Sequence, residues 1–235
     1  MLQNLCKIAV LVLFSVNAQA KAVTTQALPY TSNWDVAQVN VEELAQVAAI
    51  VPLEIANDCS GRSSLDHPAI LEGIDWNQIV TIGEQVWKII EANKPVVNVT
   101  TQVVHALPRG LTCWADLEHW HAPVVKSYEV KYKNGFGMEV VKFRFRLQYN
   151  YGGGKGQLGQ YLANATVVPS ELNVMWGYTF NADMAVDQAV NLGTLTSPVA
   201  GLGMNLNWTV KTVFKESRNS VGFFVQGDGV TTSNN

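Results

Sequence analysis

His119-Trp120-His121 is the local pattern whose residue types come nearest to chemistry. In an extended strand, residues i and i+2 point to the same side with α-carbons about 6.8 Å apart, so both imidazoles can reach one metal ion. The acids Asp116 and Glu118 fall on the opposite face. A zinc or copper centre needs a third ligand. His105 lies near the turn and far from His119 if 97–105 and 111–121 pair as a hairpin, and nothing in the pattern positions His67. The reading is therefore no cofactor and no structural metal, with His119, His121 and His67 as the metal candidates.

Cys59 and Cys113 are the two cysteines left outside the N-terminal twenty residues. In an oxidising compartment an even count implies pairing. Closing a loop of that length stabilises by roughly 4 kcal/mol in the chain-entropy account. The alternative, a catalytic thiol, leaves the second cysteine unexplained.

Three further groups have binding chemistry. Lys142, Arg144 and Arg146 form a basic stripe that suits an anionic lipid or polysaccharide, or a solvated face partly neutralised by Glu129. Tyr149, Tyr151 and Tyr161 flank a glycine-rich run and offer flat rings with a polar edge for sugars or membrane interfaces. Tyr149 and Tyr151 also continue an apolar strand face, which favours the core. The run Gly152–Gly159 resembles a phosphate cradle in composition but lacks the Gly-Lys-Ser/Thr ending and the helix that must follow; it reads as a mobile loop. No serine-hydrolase elbow, His-Glu-x-x-His or Ser-x-x-Lys catalytic pattern occurs. Asn-x-Thr sequons at Asn98, Asn164 and Asn207 matter only in a glycosylating host.

The elements that must position these residues follow from periodicity. Asn40-Val41-Glu42-Glu43 has the form of a capping box, which predicts a short helix ended by Pro52. Residues 57–68 read as a loop holding Cys59. Asp75 with Gln78 reads as a second cap, and Ile79, Ile82, Val86 and Ile90 share a helical face. That predicts a long helix from Trp76 to about Asn93, stopped by Pro95.

From Val96 onward the period is 2. Residues 97–103 alternate, Pro108-Arg109-Gly110 turns, and 111–121 is extended. Val124, Tyr128, Val130 and Tyr132 share one face; Val141, Phe143, Phe145, Leu147, Tyr149 and Tyr151 share another. Asn134-Gly135 predicts a two-residue hairpin turn between them, with Tyr128 opposite Val141 and Ser127 opposite Lys142. Extended segments are expected at 161–168 and 172–180, split by Pro169, with Trp176 on the apolar face. A looser stretch covers 181–203. Two last strands carry Met204, Leu206, Trp208, Val210, Thr212 and Phe214, then Val221, Phe223 and Val225.

Residues 1–20 have the form of a cleavable export signal: Lys7, an apolar run from Ile8 to Val16, and Ala18-Gln19-Ala20. Its removal takes the net charge of −3 to about −4, which argues against nucleic acid. Beyond the signal, no apolar run reaches the length of a membrane helix.

The expected fold is mainly β: an antiparallel sandwich of about eight strands with one long packed helix and a short N-terminal helix. It forms a single domain over 21–235, with a helical and loop lead-in at 21–95, a sheet core at 96–226 and a frayed tail at 227–235. The expected role is that of an exported binding or structural module, periplasmic or secreted, meeting a surface polysaccharide, a membrane surface or a protein. The alternative is an exported hydrolase or metal-dependent enzyme built around His119 and His121.

Overall fold

The computed structural model describes residues 21–30, 32–45, 73–96 and 102–234. The signal segment 1–20, the loop with Cys59 and His67, and Asn98 lie outside the described residues. The described chain is built almost entirely of strands: β1 (Lys21–Ala27), β2 (Val36–Leu44), β3 (Asp75–Gly83), β4 (Val86–Glu91), β5 (Lys94–Pro95), β6 (Val104–Arg109) and β7 (Val124–Asn134). There follow β8 (Glu139–Lys155), β9 (Leu158–Val174), β10 (Thr179–Val186), β11 (Val190–Asn191), β12 (Ala200–Lys211), β13 (Glu216–Gln226) and β14 (Thr231–Asn234). They pair antiparallel into two sheets. The first runs β1-β2-β7-β8-β9-β6-β3 and the second β14-β13-β12-β10-β4-β5, with β11 on β12.

Between the sheets lies one apolar cluster. Val141, Phe143, Phe145, Leu147 and Tyr149 of β8 are fully buried, as are Met204, Leu206 and Val210 of β12. Rings from the two sheets meet directly: Phe143 lies 5.1 Å from Phe180, and Tyr128 4.9 Å from Phe223. Burying each such side chain stabilises by about 1.5–3 kcal/mol. The Trp208 indole donates to the Tyr132 hydroxyl at 2.8 Å, a polar tie through the core.

Neither expected helix exists among the described residues. Val36–Leu44 is β2, paired with β1 and β7, and Val39 and Val41 are buried two apart. The Asn40 carboxamide accepts from the Thr25 hydroxyl across the strand pair instead of capping a helix. Trp76–Asn93 is not a helix but two strands of opposite sheets, β3 on β6 and β4 on β10. The Asp75 side chain does bond the amides that follow, its Oδ1 accepting from Asn77 and Gln78 at 3.0 and 3.2 Å, but there is no helix for it to cap. These bonds close a bulge, since the register against β6 shifts between Asp75 and Ile79. At Gly83, φ is +117°, and a Cβ there would lie 2.4 Å from the Val103 carbonyl. A helix cannot pass through that conformation, and there the chain crosses between sheets.

Five smaller expectations also change. The 124–149 hairpin is real, but Tyr128 faces Phe145 and Tyr132 faces Val141. The slip from the expected register is an even number of residues, so every side chain keeps its face. The Gly152–Gly159 run is not a loop: β8 continues to Lys155 and β9 starts at Leu158, around a tight turn. Pro169 does not split a strand either. It sits at a bulge inside β9, opposite Phe145, where a missing amide is tolerated. Residues 181–203 include most of β10 and all of β11, and the tail pairs as β14 on β13.

Candidate functional site

Four connections converge at one end of the sandwich: 28–35, 135–138, 175–178 and 212–215. Several of their polar groups bond within the chain. Asn134 Oδ1 accepts from the amides of Phe136 and Met138 at 3.1 Å each, which folds the turn and presents Phe136 outward. Buried Asp35 accepts from the Ser32 amide at 2.9 Å and the Thr212 hydroxyl at 3.1 Å, joining two of the turns. The Tyr178 hydroxyl donates to the Trp34 carbonyl, and the Lys215 ammonium donates to the Pro29 carbonyl. Asn93, from the turn between β4 and β5, holds the start of β10 through Tyr178 and Phe180.

The large exposed side chains here are apolar or aromatic. Trp176 is 95% exposed, Val213 83%, Phe214 75%, Trp34 55% and Phe136 53%. Trp34 and Phe136 pack edge to face with ring centroids 5.1 Å apart. Trp34, Trp176, Gly177, Tyr178, Thr212, Val213 and Phe214 line a cavity of about 180 Å³. Larger open grooves, such as one of about 770 Å³ over β4, β10, β12 and β13, are lined by charges that largely satisfy one another: Lys88 with Glu91, and Glu216 with Lys211 and Arg218.

The sequence-predicted residues lie elsewhere. His119 and His121 are exposed, in a strap that continues the line of β7 along β8. The Glu118 and Gly154 amides exchange hydrogen bonds at 2.8 and 2.9 Å. His119 has φ of +64°, so the regular strand alternation that aimed both imidazoles one way is broken. His121 stacks on Tyr151 at 4.8 Å instead. Among the described residues, no three His, Cys, Asp or Glu side chains come together as a metal site. Residues 111–121 are not a strand but a 3-10 turn (Trp114–Asp116) followed by this strap. His105 lies in β6, between β3 and β9.

The glycine run has a packing role. A Cβ at Gly153 would lie 2.3 Å from the Trp120 indole, so glycine leaves the space that Trp120 occupies. Tyr149 and Tyr161 are buried and Tyr151 half-buried. The Tyr149 hydroxyl donates to the Gly229 carbonyl at 2.9 Å, and Tyr161 to the Trp76 carbonyl at 2.7 Å. Burial pushes both phenols above their ordinary value.

The basic stripe is largely neutralised. Arg144 and Lys131 bond Glu129, while Lys142 and Arg144 reach Glu171 at 2.8 and 2.9 Å. Burial raises the Glu129 carboxyl, but the hydrogen bonds from Lys131 and Arg144 outweigh it and hold it below its ordinary value. Arg146 is half-buried on the same face. Asn164 is buried, Asn207 half-buried on the outer face of β12, and Cys113 buried at the start of the 3-10 turn.

Sequence reasoning missed the loop-end aromatics because it extended strands through Trp176 and Phe214. Gly177, two residues before Thr179, was the available sign of a turn. No protein-family model matches the chain, and comparison with curated proteins and with solved structures finds no match.

Proposed function

We propose that this chain is an exported, non-enzymatic binding module that docks onto a membrane surface through its aromatic loop end. The observation that carries this is the convergence of Trp34, Phe136, Trp176 and Phe214, exposed, from four separate connections. Large exposed aromatic patches are uncommon on monomers and mark contact sites. Tryptophan favours the membrane interface, where its apolar body and polar edge are both satisfied.

A polysaccharide site is less well served, because sugar hydroxyls need free polar partners beside the rings. Here Asp35, Asn134 and Tyr178 are engaged by the chain's own amides, carbonyls and hydroxyls. Export enters as part of the proposal, on the form of residues 1–20. Among the described residues, no helix is long and apolar enough to cross a membrane; docking would rest on the turns.

The test is co-flotation of the mature chain with lipid vesicles. Wild type is expected to float, and Trp176→Ala to weaken partition about tenfold, near 1.4 kcal/mol. Equal partition of wild type and Trp176→Ala, or no flotation with any vesicle, would overturn the proposal.

A further inference from the structure

We infer that the cavity among these turns takes a quaternary ammonium group, the trimethylammonium of a choline headgroup. This rests on the membrane-docking reading and adds a lipid class to it. Four of the seven lining residues are aromatic: Trp34, Trp176, Tyr178 and Phe214. Aromatic faces carry negative electrostatic potential and attract a cation held among several of them, and a weakly hydrated quaternary ammonium gives up little hydration on entering.

Three features favour a quaternary over a primary ammonium. The lining holds no carboxylate to pair with a compact, strongly hydrated charge. The Tyr178 hydroxyl is committed to the Trp34 carbonyl and accepts from the Asn134 carboxamide at 3.4 Å, which leaves it a poor acceptor for new N–H donors. A trimethylammonium has no N–H groups to satisfy, and its methyls match walls such as Val213.

Size agrees. At about 180 Å³ the cavity is below the range of roughly 300–1,000 Å³ typical of drug-sized ligands, and holds one small group. It is too small for more than a short piece of acyl chain. Its exposed walls Trp176, Val213 and Phe214 are the tips that docking would bring to the bilayer, so a headgroup meets the cavity first. Each of the three turns that carry Trp34, Trp176 and Phe214 contributes at least one wall, and the bonds from Tyr178 to Trp34 and from Thr212 to Asp35 fix their separation. The cage is preformed, which reduces the ordering cost of binding.

The experiment uses the full mature chain. Partition is measured on vesicles of phosphatidylcholine with phosphatidylglycerol, and of phosphatidylethanolamine with phosphatidylglycerol at the same anionic content. Soluble phosphocholine is titrated separately by tryptophan fluorescence. About tenfold tighter binding to the choline vesicles is expected, with competition by phosphocholine. Phe214→Leu keeps apolar area but removes a ring, and should shrink the choline preference to below twofold. Equal affinity for both vesicles, still weakened by Trp176→Ala, would overturn the choline cage and leave membrane docking standing. A phosphocholine response without vesicle binding would support the cage and overturn the docking. No response to either would overturn both. Phe214 and Trp176 are exposed enough that neither variant threatens the core, which unchanged thermal unfolding would verify.

Discussion

The Tyr178 hydroxyl donates to the backbone carbonyl of Trp34, 144 positions away in the chain, and ties the turn after β9 to the turn before β2. Two walls of the aromatic cavity are thereby held by a single bond. Tyr178→Phe keeps the ring and removes that tie. The expected loss is about 1–3 kcal/mol of stability, because the bond that the buried Asn134 carboxamide donates to the same hydroxyl goes with it. Vesicle partition should weaken several-fold as well, because the walls separate. Urea unfolding with flotation checks both; unchanged partition would show that the turns hold their places without it.

Tyr132 joins the sheets through the core. Its hydroxyl accepts from the Trp208 indole at 2.8 Å and the Asn219 carboxamide at 2.7 Å. Tyr132→Phe orphans a buried donor and should cost about 1–3 kcal/mol in chemical denaturation. Burial pushes the phenol from its ordinary value of 10.0 up to about 12. A folded-state value above the unfolded one means that the contribution is complete below pH 10 and is lost as pH rises towards 12. Wild type should therefore lose stability over that window more steeply than Tyr132→Phe.

Glu129 is buried under the cations of its own sheet face, bonded by Lys131 and Arg144. Burial raises its carboxyl, but the two hydrogen bonds lower it by more, so its folded value is depressed. Its contribution is then complete above the ordinary value of 4.5 and is lost as pH falls through the folded one. Glu129→Gln should cost about 2 kcal/mol at neutral pH, below the 3–5 kcal/mol of a fully buried pair because Arg144 and Lys131 are partly exposed. It should also flatten the decline in stability below pH 4.5. Thermal unfolding at pH 7, 5 and 3 measures both effects.

Cys113 is buried against the core, and Cys59 lies outside the described residues. The pairing proposed for them makes two statements. Thiol counting under denaturing, non-reducing conditions should find none free in the mature protein. Reduction should cost about 2–5 kcal/mol, with hydrogen exchange rising first near the 113–121 strap and last in the β7–β8 hairpin.

The alternation of Val141, Phe143, Phe145, Leu147 and Tyr149, and of Met204, Leu206, Trp208 and Val210, was enough to define which side chains face the core. A period of 2 survives any even slip, which is why the faces were legible although the β7–β8 register was not. Asp75 was read as a helix cap, and its carboxylate does accept from the next amides, but in a strand. Whether those bonds start a helix or close a bulge depends on β6 lying alongside, a partner distant in sequence. Across 76–93, two short strands with a phase break at Gly83–Gln85 imitate a 3.6-residue repeat. The β-branched content of Ile79, Val80, Thr81 and Ile82 was the local signal for strands. Strand ends were equally invisible, because a strand stops where its neighbour stops pairing. That is how Trp176 and Phe214, two and three positions past the strand ends Val174 and Lys211, left the core faces of the sequence pattern for the exposed end of the molecule. The sequence by itself determined the inward faces, through local periodicity; tertiary pairing alone decided the loop-end aromatic site, whose members come from four connections spread from residue 34 to residue 214.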